Sequence, residues 1–167
     1  MPAPLTLRLA DPEDGAAITA LLAATYPVLM AAAYDTGILS RAWPLMARAN
    51  PALLASGSVH LAEASDQIIG CGGWTPQRPG TGGVEPGLGH LRHFAVHPAS
   101  RGCGIGRALF GACRDQARGR GVDAFECYAS LAAEPFYRAL GFTPLALREI
   151  AMGDRVQFPA VWMRCRL

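Results

Sequence analysis

Apolar and polar positions along the chain follow two periods, and the changes between them mark the elements. Thr6 to Leu9 reads as a first short strand. Asp11-Pro12-Glu13-Asp14 then supplies an N-cap, a first-turn proline and acids suited to the positive end of a helix dipole. Ala17, Leu21, Leu22 and Ala24 recur at helical spacing, so a helix is expected to about Ala24, with Tyr26-Pro27 ending or kinking it. Ser40 to Leu54 is helical in pattern but interrupted by Pro44 and Pro51. Val59 to Glu63 and Ile68 to Trp74 read as a hairpin turning at Ser65-Asp66-Gln67, with a bulge suggested by Gly72 and Gly73. Pro76 to Gly89 is rich in glycine and proline and predicts a mobile loop beside the next strand, His90 to Val96, which Pro98 stops.

At Ile105 the period lengthens. Ile105, Ala108, Leu109, Ala112, Cys113, Gln116 and Ala117 lie on one helical face, and Gly119 and Gly121 close the helix. Val122 to Tyr128 is a further strand, Ala132 to Leu140 a short helix with Pro135 near its start, and Phe142 to Ile150 and Pro159 to Leu167 two closing antiparallel strands. The elements sum to an α/β (α+β) sandwich, a mixed sheet of six or seven strands with about four flanking helices, in one domain over residues 1–167.

Composition narrows the chemistry. The 15 basic and 13 acidic residues are scattered, giving no block suited to a nucleic-acid backbone or an anionic membrane. All basic residues other than histidine are arginine, which excludes a lysine nucleophile within this sequence. Five cysteines, Cys71, Cys103, Cys113, Cys127 and Cys165, show no metal-ligand spacing and read as reduced thiols, so a cytoplasmic protein with no metal is expected. Ala16 to Tyr34 carries no charge before Asp35, yet its alanine content, its Thr19, Thr25 and Pro27 and the acids preceding it predict a helix lying on a sheet, not a membrane span.

The unit from His90 to Gly121 is strand, glycine-rich turn and helix. Free backbone N–H groups and the helix dipole converge there, and Gly102, Gly104 and Gly106 let a diphosphate approach the main chain. Neither common nucleotide motif fits, since a P-loop requires lysine and the spacing is G-x-G-x-G instead of G-x-G-x-x-G. On glycines alone, a phosphate cradle and a plain tight turn stand equal.

The wider context separates them. Phe94-Ala95-Val96-His97-Pro98 followed by Arg101-Gly102-Cys103-Gly104-Ile105-Gly106-Arg107-Ala108-Leu109 resembles the R/Q-x-x-G-x-G/A signature of the GCN5-related N-acetyltransferase (GNAT) family. Glu134-Pro135-Phe136-Tyr137-Arg138-Ala139-Leu140-Gly141-Phe142 resembles the F-Y-x-x-x-G-F segment of the same family. The resemblance implies a mostly antiparallel sheet whose central strands splay apart to admit acetyl-CoA as co-substrate. It implies that backbone groups of Phe94, Ala95 and Val96 meet the pantetheine arm, with a main-chain N–H polarising the thioester. It also implies that Arg101, Gly102, Cys103, Gly104, Ile105, Gly106 and Arg107 hold the pyrophosphate. Ser130 stands where many relatives carry a coenzyme-contacting asparagine, and a serine there is equally suited to cap the next helix.

Acetyl transfer to a primary amine needs a deprotonated nucleophile and a proton for the leaving thiolate. Tyr137 takes the family's acid position beside the coenzyme sulfur. His90 replaces the glutamate of many relatives as base; a period of two puts it on the face of Val96, with Arg92 sharing that face and His93 opposed. Glu85 and Glu126 are reserve bases, read as solvated acids. Direct attack in a ternary complex is expected, with Cys103 and Cys127 offering a weaker covalent route. The other readings are a non-catalytic acyl-CoA sensor and a nucleotide or redox domain. The partner is a small-molecule or peptide amine acceptor, and the assembly a monomer or homodimer.

Overall fold

A computed structural model describes residues 4–167. The elements follow in the order β1 (Thr6–Leu9), α1 (Gly15–Met30), α2 (Thr36–Met46), α3 (Pro51–Ala55), β2 (Val59–Ala64), β3 (Gln67–Thr75), β4 (Leu88–Val96), α4 (Ile105–Gly119), β5 (Ala124–Ser130), α5 (Glu134–Ala139), β6 (Thr143–Met152) and β7 (Val156–Arg166). One seven-stranded sheet runs β1-β2-β3-β4-β5-β7-β6, antiparallel at every junction except β4–β5. No helix among the described residues is long and apolar enough to cross a membrane.

Two apolar layers cover the sheet. Ile18, Leu22 and Leu53 from α1 and α3 pack with Leu61, Cys71, Ala95 and Phe158 on one face. Phe110, Cys113 and Ala117 of α4 pack with Leu91, Phe125, Cys127, Tyr137 and Met163 on the other. The α4 stripe matches the sequence pattern, with Phe110 added at its margin. Tyr34, just after α1, donates its hydroxyl to Pro159 O at 2.6 Å and accepts from Leu131 N–H at 2.8 Å, tying the helical layer to β7 and to the segment after β5.

Several boundaries differ from expectation for local reasons. α1 continues through Pro27 to Met30, because Tyr26 and Met30 are buried and the proline sits in the last turn, where it removes little of the ladder. The stretch Ser40 to Leu54 divides into α2 and α3, each capped by a side chain, Asp35 and Asn50, with Pro51 opening α3. That division gives five α-helices, not about four. β4 begins at Leu88, so the expected loop is shorter. It folds back on itself through a Gln77–Val84 bridge and an Arg78 N–H to Gly83 O bond of 2.8 Å. At Ser65 and Asp66 the β2–β3 turn takes positive φ at both central residues, as the twist of a two-residue hairpin requires.

One irregularity governs the site. Cys71 pairs with Ala95 but Gly73 with Arg92, so one residue of β3 faces two of β4, and the bulge belongs to His93-Phe94 instead of Gly72-Gly73. His93 takes φ 54° there. Gly72 is still required, since a Cβ would come within 2.6 Å of the Phe94 ring.

Candidate functional site

β4 and β5 pair only over Leu88–Ala124, Gly89–Phe125 and His90–Glu126. Beyond His90 the two strands share no ladder, and a gap opens between Leu91–Val96 and Cys127–Ser130. His97 N–H donates to Ile69 O at 2.8 Å, toward β3. By the alternation of a strand, the N–H and C=O of Ala95 face β3 as well, and those of Phe94 and Val96 face the gap. Among the described residues no β5 ladder reaches these main-chain groups, which leaves one edge of an otherwise buried strand able to receive an extended amide chain as a further strand would be received.

The glycine loop lies at the end of β4. His97 Nδ1 accepts from Ala99 N–H at 3.2 Å and caps a short turn, Pro98–Ser100. Gly102 and Gly104 follow with φ of 78° and 77°, and α4 begins at Ile105 without a side-chain cap, so its first N–H groups stay free for an anion. Neither glycine would bring a Cβ near any protein atom. Their requirement is the left-handed backbone, and the space above them is open. Gly106 differs from the reading that grouped it with them. It sits inside α4, where a Cβ would come within 2.7 Å of the Phe136 ring, so its missing side chain makes room for that half-exposed ring of α5. Arg101, Cys103 and Arg107 are exposed, whereas the Ile105 side chain is buried against Ala62 and Leu109 and anchors the loop.

Tyr137 reaches this region from α5. Its ring is buried, 5.4 Å from Phe142 and 6.4 Å from Phe94 between centroids, both edge-on. Burial, reinforced by the neighbouring Cys127, holds the phenol well above its usual range and keeps it protonated. Ser130 is buried, and its Oγ accepts from Ala133 N–H at 3.1 Å, capping the turn that precedes α5; the helix itself starts at Glu134 without a side-chain cap.

His90 does not share a face with Val96. The bulge at His93-Phe94 shifts the alternation by one residue, so Phe94 and Val96 pack with Ile105 and Leu109 on the α4 side, while Leu91 and not His90 faces α4 upstream. His90 and Arg92 therefore lie on the face of α1, as do Thr75 and Glu126, the cross-strand neighbours of His90. His90 is buried, and its Nε2 has no hydrogen-bond partner among the described residues. It lines a cavity of about 30 Å³ with Pro79, Leu91, Glu126, Cys127, Tyr128 and Trp162, roomy enough for a water or two. The Trp162 indole N–H is likewise unpartnered. Burial lowers the imidazole pKa; Glu126 opposes this, and Arg78 and Arg92 add to it. His93 is diverted to the α3 junction, where Nε2 accepts from Asn50 N–H at 3.3 Å and burial lowers its pKa to about 4.

Residues 55–144, more than half of the chain, match the family described as the Acetyltransferase (GNAT) domain. The chain belongs to the GNAT acetyltransferase family. A mycothiol acetyltransferase of Thermobispora bispora is 36% identical over 86 residues, which are 50% of this chain and only 29% of that protein. A GCN5-related N-acetyltransferase of Rhodopseudomonas palustris superposes with a TM-score of 0.78 at 22% identity, covering 100% of this chain and 98% of the other. A paia N-acetyltransferase of Thermoplasma acidophilum, solved in complex with coenzyme A, superposes at 0.72 with 15% identity, covering 98% and 99%. At such identities the superpositions speak for the shared GNAT fold, the splayed seven-stranded sheet included.

The family motifs lead to the loop and the gap but not to the polar face beyond them. Glu126 is not the solvated acid it reads as in sequence; it is 3% exposed, with Arg164 at 3.5 Å and Arg78 at 3.6 Å. Glu85 is exposed, as expected. Tyr128, Trp162, Arg164 and Arg78 carry no motif at all. One signal was present, a glutamate inside the otherwise apolar run from Ala124 to Tyr128, which calls for a partner when such a strand is central. Only the β5–β7 register, pairing Glu126 with Arg164 and Tyr128 with Trp162, identifies the others.

Proposed function

We propose that this chain is an acetyl-CoA-dependent N-acetyltransferase that moves the acetyl group to a primary amine by direct attack in a ternary complex, residues 1–167 acting as one catalytic domain. The observation that carries the reading is the gap beyond His90–Glu126, edged by the free main-chain groups of Phe94 and Val96 and ending at the positive-φ glycines and uncapped start of α4. Acetyl-CoA fits that arrangement as substrate. Its pyrophosphate lies on the N–H groups of Gly102 to Gly106, with Arg101 and Arg107 at the rim and Cys103 and Ile105 contributing backbone. Its pantetheine runs along Phe94, Ala95 and Val96, and Ser130, whose hydroxyl proton is free to donate, lies at the far wall.

In the proposed reaction the neutral amine attacks the thioester carbon, and a main-chain N–H of β4 stabilises the developing oxyanion. The amine proton passes to His90 through water in the adjoining cavity; burial keeps the imidazole neutral and able to accept it. The C–S bond then breaks, and the departing thiolate takes the phenolic proton of Tyr137, which the phenolate recovers through solvent. Direct attack is favoured over an acyl-cysteine. Burial pushes the Cys127 thiol far up, and among the described residues the Cys103 thiol has no polar contact besides Arg101 O. All five cysteines are free, which suits a reducing compartment such as the cytoplasm.

A coenzyme A release assay across a panel of primary amines, run beside Tyr137→Phe, tests the proposal. Release with at least one amine and a loss of about 10²-fold or more in kcat for the variant are expected. Full activity of the variant would remove Tyr137 from the mechanism. Tight acetyl-CoA binding without release to any amine would make the chain an acyl-CoA sensor.

A further inference from the structure

The α1 face beyond the helical layer carries more positive charge than its carboxylates balance. Glu126 is shared between Arg78 and Arg164. Arg92 and Arg148 have no carboxylate within 4.0 Å among the described residues. Arg148 lies over the Trp162 ring at 5.0 Å and donates to Leu147 O at 3.2 Å. Glu85 in the nearby loop is exposed and pairs with neither.

Arg92 is the informative group. It is half-buried on β4, two residues from His90 and on the same face. Its single polar contact among the described residues is a 3.5 Å approach of Nη1 to Thr75 Oγ1, whose own proton goes to Gln77 O at 2.9 Å. A guanidinium drawn out of water without a partner is costly, and an arginine anchored by a folded sheet at such a position is complementary to an anion brought by a ligand. Its planar fork suits a carboxylate. Two residues away along β4, the buried Nε2 of His90 and the indole N–H of Trp162, both without a partner among the described residues, border the small cavity whose lining includes Leu91 and Cys127, the first residues of β4 and β5 past their shared ladder. Two subsites thus adjoin, one cationic and one holding a neutral proton acceptor.

Resting on the acetyl-transfer reading above, we infer that the acceptor is a small amine that also bears a carboxylate, an amino acid or close analogue, held by Arg92 while its amine lies toward His90. Tyr128 and Trp162, both partly exposed, offer the ring surfaces on which the rest of such a molecule packs. The surplus of arginine disfavours polyamines and other polycationic acceptors.

The experiment compares each α-amino acid with its carboxamide and with the amine lacking the carboxyl group, following coenzyme A release and, separately, acetyl-CoA binding by calorimetry. At least one free acid is expected to exceed its amide by about tenfold or more in kcat/KM. Arg92→Gln should bring acid and amide within about twofold of each other through KM, and Arg92→Lys should retain part of the preference, with acetyl-CoA affinity unchanged in both. Amides or plain amines turned over as well as the acids would overturn the inference and leave acetyl transfer standing. An acid preference that survives Arg92→Gln would overturn the role of Arg92. Release to none of these members but to another primary amine of the wider panel would overturn the inference alone, whereas acetyl-CoA binding without release to any amine would remove acetyl transfer and this inference with it.

Discussion

The two sides of β4 present different kinds of chemistry. Along the gap, the groups offered are main-chain ones: the N–H and C=O of Phe94 and Val96 and the free N–H groups that open α4. On the α1 face they are side chains, His90, Arg92, Glu126 and Trp162, gathered from three strands, with Arg78 from a loop. A backbone site is specified by local conformation, so two left-handed glycines and a strand stop are enough to write it. A side-chain site exists only when register and bulge bring distant positions onto one face. The proposed donor half is therefore fixed by short motifs, and the proposed acceptor half by pairings that a single inserted residue rearranges.

The largest expected break in this division is Tyr137→Phe. In the proposed reaction Tyr137 is the side chain on which the otherwise main-chain donor half depends, and its loss should then lower kcat by about 10²-fold or more with little change in KM for acetyl-CoA. Equal losses in kcat and in coenzyme affinity would mean that the ring shapes the gap instead of supplying a proton.

Next comes the bulge itself. His93 has a folded pKa of about 4 against an ordinary 6.5, so the unfolded chain binds a proton that the native one refuses between these values. Stability is therefore full above about pH 6.5, falls as pH drops toward 4, and loses about 3 kcal/mol over that window from this residue alone. Urea unfolding from pH 4 to 7 measures it, and His93→Gln should flatten the slope. An unchanged slope in the variant would place the pH dependence elsewhere.

Two glycines of the loop sharpen the contrast further. Gly104→Ala forces a side chain into φ 77°, at a cost of about 1–2 kcal/mol, and should weaken acetyl-CoA binding by about tenfold in calorimetry. Gly106→Ala keeps an ordinary helical backbone and meets only the Phe136 ring, 36% exposed and free to swing. Its effect on stability should stay below about 1 kcal/mol, since alanine regains helix propensity as the ring is displaced. In a Phe136→Ala background the same change should become stabilising in thermal melts. If both glycine variants lose coenzyme equally, the two positions are not doing different jobs.

The legibility of the molecule follows the same line. The loop, the α4 stripe and the hairpin at Ser65-Asp66 were readable because each is set by neighbours within one or two turns. The extension of α1 past Pro27 was not, because the burial of Tyr26 and Met30 outweighs a local breaker. The orientation of His90 was not, because strict alternation from Val96 fails where β4 gains a residue against β3. Glu126 read as solvated until the sheet placed it between Arg78 and Arg164.

By itself the sequence determined the mixed sheet, the GNAT motifs and the glycine loop, since periodicity, turn chemistry and the absence of a Cβ act over short range. The tertiary structure decided which side chains face the cavity, which carboxylate is shared and which half-buried arginine has no carboxylate beside it among the described residues. These depend on register across strands far apart in the chain, and no local rule carries register through a bulge.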